Sequence, residues 1–340
     1  MKLSLTDAQI TVNGFVSSCK CKCKHCLLCS SDNLIPCIPF DKLAQLAMKF
    51  IGFYRCTGID VGLGVYNCSD YPQLPQAMEI DRKISCFSGY QNLNGTPVRE
   101  GKELADWVSY LKYDCKLQNA NISWFGTREL HDTFVSAKGY YDYLLELSKE
   151  LKRQDVSFTN SIFILRSNIN ELANLHHTLM HLGGRMHYSL LDYRGNAKKI
   201  FHEFLDVDSV NKLPQFLYNN SIFNFKRYKM NSEWVDATMK HQAPEQTKRI
   251  MFLVATPDNI DQYLYMSIND ILRMFHELDE KIQNAIPSFE YLASNYGRNS
   301  GEVLIDYRSA LWRWMELFFE EEGIDKTLLF SDLHNSVMWR

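Results

Sequence analysis

Residues 19–29 read CKCKCKHCLLC, five cysteines in eleven positions with three lysines and a histidine between them. Thiols that dense are held by disulfides, by a metal centre or by redox chemistry. All ten cysteines of the chain fall between Cys19 and Cys115, so whatever they do belongs to the N-terminal part. The opening stretch, MKLSLTDAQITVNG, carries Asp7 and Gln9 where a signal peptide would have its apolar core. No run reaches the roughly 18 uninterrupted apolar residues of a membrane span. The chain therefore reads as cytoplasmic, where clustered thiols bind metal or do redox work in preference to pairing.

Composition sets wider bounds. The 340 residues are 46% hydrophobic and 23% charged, with a net charge of −3. That suits one large globular domain or two smaller ones. Nothing in the charge balance points to nucleic acid or to an anionic membrane surface as partner. There is no P-loop, no Gly-rich dinucleotide fingerprint and no G-x-S-x-G elbow.

Spacing narrows the chemistry of the cysteines. Cys19, Cys23 and Cys26 form C-x3-C-x2-C. A ferredoxin run needs C-x2-C-x2-C-x3-C; Cys23, Cys26 and Cys29 supply three of its positions, but the fourth is Asn33. A zinc site needs a second knuckle or a histidine pair, and Cys37 alone does not make one. Copper(I) on C-x-C-x-C is chemically open, since thiolates favour it, but it belongs to much shorter chains. Three thiolates on one short loop suit a 4Fe–4S cluster with one iron left open to a small molecule.

That pattern resembles the radical S-adenosylmethionine (radical SAM) superfamily. Residues 10–15 (ITVNGF) read as the strand before the cluster loop. His25 stands where the family often has an aromatic ring, and CKHC is a frequent ending of its motif. Cys21 and Cys29 are extra: either spare thiols lining the loop, or an alternative iron ligand or a reactive thiol. Lys20, Lys22 and Lys24 either offset the charge of a cluster or form a solvated basic loop.

The resemblance continues along residues 8–200 and implies an α/β architecture, a partial (β/α)6 TIM-like barrel. Residues 38–53 read as the first helix and 59–65 as the second strand. The family's Gly-Gly-Glu-Pro ending of that strand is replaced here, with Gly64 and Asn67 as the nearest equivalents. Residues 84–93, 121–125, 157–165 and 186–191 read as strands three to six. By resemblance, Ser123, Asn160, Arg166 and Tyr193 join Gly64 and Asn67 as contacts of S-adenosylmethionine, and Cys19, Cys23 and Cys26 are the iron ligands. The stretch 192–199 (DYRGNAKK) resembles a turn whose backbone meets adenine.

Residues 1–205 would form this core and 206–340 a mainly helical extension. In the extension, 249–256 reads as a strand, and 259–285, 289–296 and 302–322 as helices. Trp312, Trp314, Phe318 and Phe319 are expected in the core, Glu316 on a solvated face. His176, His177 and His181 are open between a packed or surface group and a zinc site, with no HExxH glutamate beside them.

The resemblance implies one 4Fe–4S cluster and S-adenosylmethionine as cofactors. Reductive cleavage would give a 5′-deoxyadenosyl radical that takes hydrogen from a substrate C–H bond. It also implies an electron donor such as flavodoxin or ferredoxin, and a peptide or small-molecule substrate. A non-catalytic metal-binding or redox-sensing protein using the five-cysteine loop is the alternative.

Overall fold

The structure, a computed structural model, describes residues 8–13, 19–26, 38–64, 71–86, 88–219, 223, 225–244 and 249–326. Its strands are β1 (Ala8–Asn13), β2 (Asp60–Gly64), β3 (Tyr90–Asn92), β4 (Asn119–Trp124), β5 (Phe158–Phe163), β6 (Arg185–Ser189), β7 (Tyr228–Met230), β8 (Arg249–Val254) and β9 (Leu304–Asp306). Between successive strands from β1 to β6 at least one helix intervenes. That alternation forces a parallel sheet, because each crossover returns the chain to the same end.

The parallel strands form two sheets, ordered β2-β1-β8 and β3-β4-β5-β6. Among the described residues the sheet is therefore open between β2 and β3. Part of the reason lies in the helix Leu74–Ile84: the Leu63 N–H donates to Asp81 Oδ1 at 2.9 Å. Asp81 is buried, and burial holds its carboxyl up at about 6. The architecture is α/β with helices around parallel sheets, as in a partial barrel, and among the described residues the sheets do not join into a closed one.

Strand periodicity separates a packed face from a polar one. Along β4, Ala120, Ile122 and Trp124 are fully buried against the helices. Asn119, Asn121 and Ser123 take the other face. There Asn121 Oδ1 accepts from Ser161 Oγ at 2.6 Å, and Asn119 Nδ2 donates to Thr159 Oγ1 at 3.1 Å. The side of the sheet away from the helices is thus lined by amides and hydroxyls.

Several sequence expectations shift in detail. Among the described residues the third strand is only Tyr90–Asn92, since residue 84 ends a helix. The strand expected near 249–256 lies parallel along β1, from Ala8 opposite Arg249 to Asn13 opposite Val254. The helix expected over 259–285 is two helices, Ile260–Tyr265 and Ile268–Ala285, and Ser267 at the break exchanges hydrogen bonds with Asp270. The last helix starts at Tyr307, where the Asp306 carboxylate caps Ser309 N–H at 2.8 Å, and β9 precedes it. Trp312, Trp314 and Phe319 are core residues as expected. Glu316 is not on a solvated face: it is buried, holding Lys198 and the Tyr193 hydroxyl.

Candidate functional site

Exposure alternates along the cysteine run. Cys19 and Cys23 are half-buried and Cys21 is buried, while Lys20, Lys22 and Lys24 are exposed. Main-chain anchors fix this register. The N–H groups of Lys20, Lys22 and Lys24 donate to the carbonyls of Gly95 (2.9 Å), Val135 (2.8 Å) and Phe134 (3.1 Å). Phe134 and Val135 end the helix Arg128–Val135, and the last carbonyls of a helix have no intrahelical donor. The loop supplies the missing donors. A turn then brings Cys26 N–H onto the Cys23 carbonyl at 3.1 Å, and Asn196 N–H holds the Cys26 carbonyl at 3.2 Å.

Gly95, the first anchor, is itself tied down. Asn94 Oδ1 accepts from Ser123 N–H at 2.6 Å while Asn94 Nδ2 donates to the Ser123 carbonyl at 3.0 Å. Gly95 N–H donates to the Tyr140 hydroxyl at 2.7 Å, and that hydroxyl donates to the Thr96 carbonyl at 3.0 Å. The loop therefore rests on the turn after β3 that is clamped to β4, on the helix after β4 and on the helical turn Gly195–Glu203 that follows β6. Sites in parallel α/β folds lie at this C-terminal end of the strands.

His25 fits among three phenylalanines: Phe125 just after β4, Phe134 in the helix that follows it and Phe163 at the end of β5. Its ring centroid lies 4.7 Å from Phe125, 5.4 Å from Phe134 and 5.5 Å from Phe163. Burial, and then the Arg194 guanidinium, push its pKa down to about 4. At neutral pH it is an uncharged ring. His25 Nδ1, Arg194 Nε and Asn196 Oδ1 are all buried without a hydrogen-bond partner. Among the described residues one other buried side-chain polar atom is in that condition, His131 Nε2. Buried polar atoms are normally satisfied, so three orphans beside one loop mark where a bound polar group would complete the structure. The sequence reading named the stretch around them but not Arg194 and Asn196 themselves. No spacing rule singles them out, because only burial makes their atoms conspicuous.

The other sequence-predicted residues divide. Gly64 ends β2 beside Asn13, and Ser123 sits under the loop through its Asn94 clamp. Asn67 and Cys29 lie outside the described residues. Asn160 is fully buried on the helix-facing side, accepting from Trp124 Nε1 at 3.0 Å and donating to the Gly183 carbonyl at 2.9 Å. The Arg166 guanidinium donates to the Phe204 carbonyl at 3.0 Å and pairs with Asp206 at 3.3 Å. The Tyr193 hydroxyl donates to Glu316 at 2.7 Å and accepts from Arg313 at 2.9 Å. In each of the three, the polar group is bonded to another element of the fold.

No disulfide joins the seven described cysteines. Among the described residues no three His, Cys, Asp or Glu side chains converge as they would on one metal ion. Cys21 N–H donates to Cys19 Sγ at 3.4 Å. The Cys19 contact lowers the Cys21 thiol pKa, but the Cys23 contact and burial outweigh it and hold that thiol protonated. Cys21 is 3% exposed within the core, which suits a packing role.

His131 anchors the neighbouring helix. The Phe125 N–H donates to its Nδ1 at 3.4 Å, and burial pushes its pKa down to about 4. An imidazole of ordinary pKa near 6.5 that is held neutral in the fold leaves the unfolded chain binding more protons between the two values. Its contribution is complete above about 6.5 and lost as pH falls toward 4. The shift corresponds to on the order of 3 kcal/mol. The urea midpoint should therefore drop as pH falls from 7 to 5, and His131→Asn should flatten that dependence. An unchanged slope in the variant would show that other groups cause it.

No protein-family description matches the sequence, and no curated protein matches it. Solved structures do overlay on it. Native anSMEcpe with bound AdoMet matches over 92% of this chain and 98% of its own, at 12% identity and a TM-score of 0.53. A hexahistidine-tagged form of anSMEcpe with bound AdoMet matches over 94% and 100%, at 12% identity and 0.51. Streptococcus suis SuiB bound to S-adenosylmethionine is covered to half its length, over 73% of this chain, at 11% identity and 0.45. At these identities the likeness to anSMEcpe establishes a shared fold.

Proposed function

We propose that the chain is a radical SAM enzyme in which Cys19, Cys23 and Cys26 bind three irons of a single 4Fe–4S cluster. The carrying observation is that these cysteines and three unpartnered buried polar atoms meet at the C-terminal ends of parallel strands. The fold is shared with anSMEcpe, which was solved with bound AdoMet. When bound, the cluster and S-adenosylmethionine together supply one-electron cleavage and a carbon radical able to take hydrogen from a substrate.

This chain's residues would do the holding and the excluding. The Gly95, Val135 and Phe134 carbonyls fix the loop, and Asn196 fixes its far end. Neutral His25, the Arg194 Nε donor and the Asn196 Oδ1 acceptor would meet the polar edge of S-adenosylmethionine. Gly64, Asn67 and Ser123 are assigned to its remaining groups. The exposed lysines lie where they would offset the negative charge of a cluster and raise its potential. The amide and hydroxyl face of β4 and β5 suits a substrate with hydrogen-bonding groups, such as a peptide side chain or a polar metabolite. Residues 1–205 are read as the catalytic core and 206–340 as a mainly helical region that also lends β8 to the sheet beside β1.

The test is anaerobic reconstitution with iron and sulfide, then reduction and addition of S-adenosylmethionine. The expected result is about four irons per wild-type chain and release of 5′-deoxyadenosine, both lost in Cys23→Ala and the iron retained in Cys21→Ala. A wild-type chain that takes up no iron, or a Cys23→Ala variant that takes up as much, overturns the assignment.

A further inference from the structure

The helix Leu172–Leu182 carries three histidines, His176, His177 and His181, outside the cysteine loop. His177 and His181 stand four residues apart on its exposed face. Their ring centroids are 4.4 Å apart with planes at 75°, and their Nε2 atoms are 3.1 Å apart. His176 is not part of the group: its Nδ1 is bonded to the Tyr188 hydroxyl at 2.5 Å and its ring stacks on Phe216 at 4.3 Å.

We propose that His177 and His181 form a two-histidine chelate for a divalent transition-metal ion. The geometry carries it. With metal–nitrogen bonds of about 2.0–2.1 Å, two imidazoles on one ion lie about 2.9 Å apart at a right angle and about 3.4 Å apart at the tetrahedral angle. The observed 3.1 Å falls between these limits. Each ring can carry its proton on Nδ1, which leaves both Nε2 lone pairs for the ion. Helical spacing presents residues i and i+4 on one face, so no backbone movement is needed to close the chelate. Neutral imidazole suits zinc, copper and nickel. Among the described residues no third His, Cys, Asp or Glu completes the site. Water therefore fills the remaining positions, and the ion is exchangeable and open to further ligands.

The same 3.1 Å would also fit a plain N–H···N hydrogen bond between the rings, and the experiment separates the two. Nickel(II) chloride is titrated into the full chain by calorimetry, and melting temperature is followed with and without the ion. The variants are His177→Gln, His181→Gln and Cys23→Ala. Both histidines are exposed, so neither glutamine variant should alter the melt without nickel. The expected result is one nickel equivalent present in the wild type and in Cys23→Ala but lost in each glutamine variant. The nickel-dependent rise in melting temperature should vanish with it. An unchanged stoichiometry and affinity in His177→Gln overturns the proposal. So does loss of the same equivalent in Cys23→Ala, which would place the ion at the cysteine loop. Neither outcome bears on whether that loop holds a cluster.

Discussion

Trp314→Ala is expected to lower the unfolding free energy by about 3–5 kcal/mol. Trp314 is fully buried in the helix Tyr307–Glu322. Its Nε1 donates to Asn231 Oδ1 at 3.0 Å, and the Asn231 amide donates in turn to the Gly297 carbonyl at 2.6 Å. Truncation removes the ring, leaves a cavity and strands a buried acceptor, three costs of the same sign. A Cβ at Gly297 would lie 3.3 Å from the Trp314 ring. That close approach leaves little freedom for the surroundings to collapse into the gap. Trp314→Phe keeps most of the volume and loses the hydrogen bond, so it should cost about 1–2 kcal/mol. Urea titration of the three proteins checks the order. The apolar core around Trp314 is continuous with that around Trp124 and Cys21, so the transition should remain single. Two separated transitions would show that the last helices melt independently.

The parts of this fold that could be read from residues alone are those where pattern and burial coincide. In β4 the run ANISW alternates, and its fully buried members, Ala120, Ile122 and Trp124, are the ones that alternation selects. The helix–strand alternation gave the parallel architecture for the same reason. What escaped reading depends on partners distant in sequence. Nothing local in 249–254 says that it will lie along β1, 241 residues before it at Ala8 opposite Arg249. Glu316 belongs to an acidic-looking helix end and yet is buried, because Lys198 and Tyr193 meet it there. At the site, the cysteine triplet was conspicuous through spacing, whereas Asn160, Arg166 and Tyr193 were selected by position in a pattern. Each of those three has a nearer polar partner that a sequence does not disclose. Arg194 and Asn196 became visible only as buried atoms without partners.

Phe134→Ala is expected to separate the stability of the fold from the hold on the cysteine loop. Phe134 is 2% exposed, stacked on Phe125 at 4.5 Å and on His25 at 5.4 Å. Its removal should cost about 3–5 kcal/mol, as for Trp314, since both leave a large apolar cavity. The two cavities lie in different places, however. The one at Trp314 is lined by the C-terminal helices and leaves His25 packed. The one at Phe134 opens beside His25, one residue before Cys26. The Phe134 carbonyl that takes the Lys24 N–H at 3.1 Å persists in the variant, so the backbone anchor stays and only the ring's support is lost. His25 then gains room to turn, and the Cys23–Cys26 turn loses its fixed orientation. With Phe134→Ala and Trp314→Ala brought to equal folded fraction, iron and sulfide retained after reconstitution should be several-fold lower in Phe134→Ala alone. Equal retention would mean that the main-chain anchors hold the loop without the aromatic cage. Equal loss would mean that iron binding simply follows global stability.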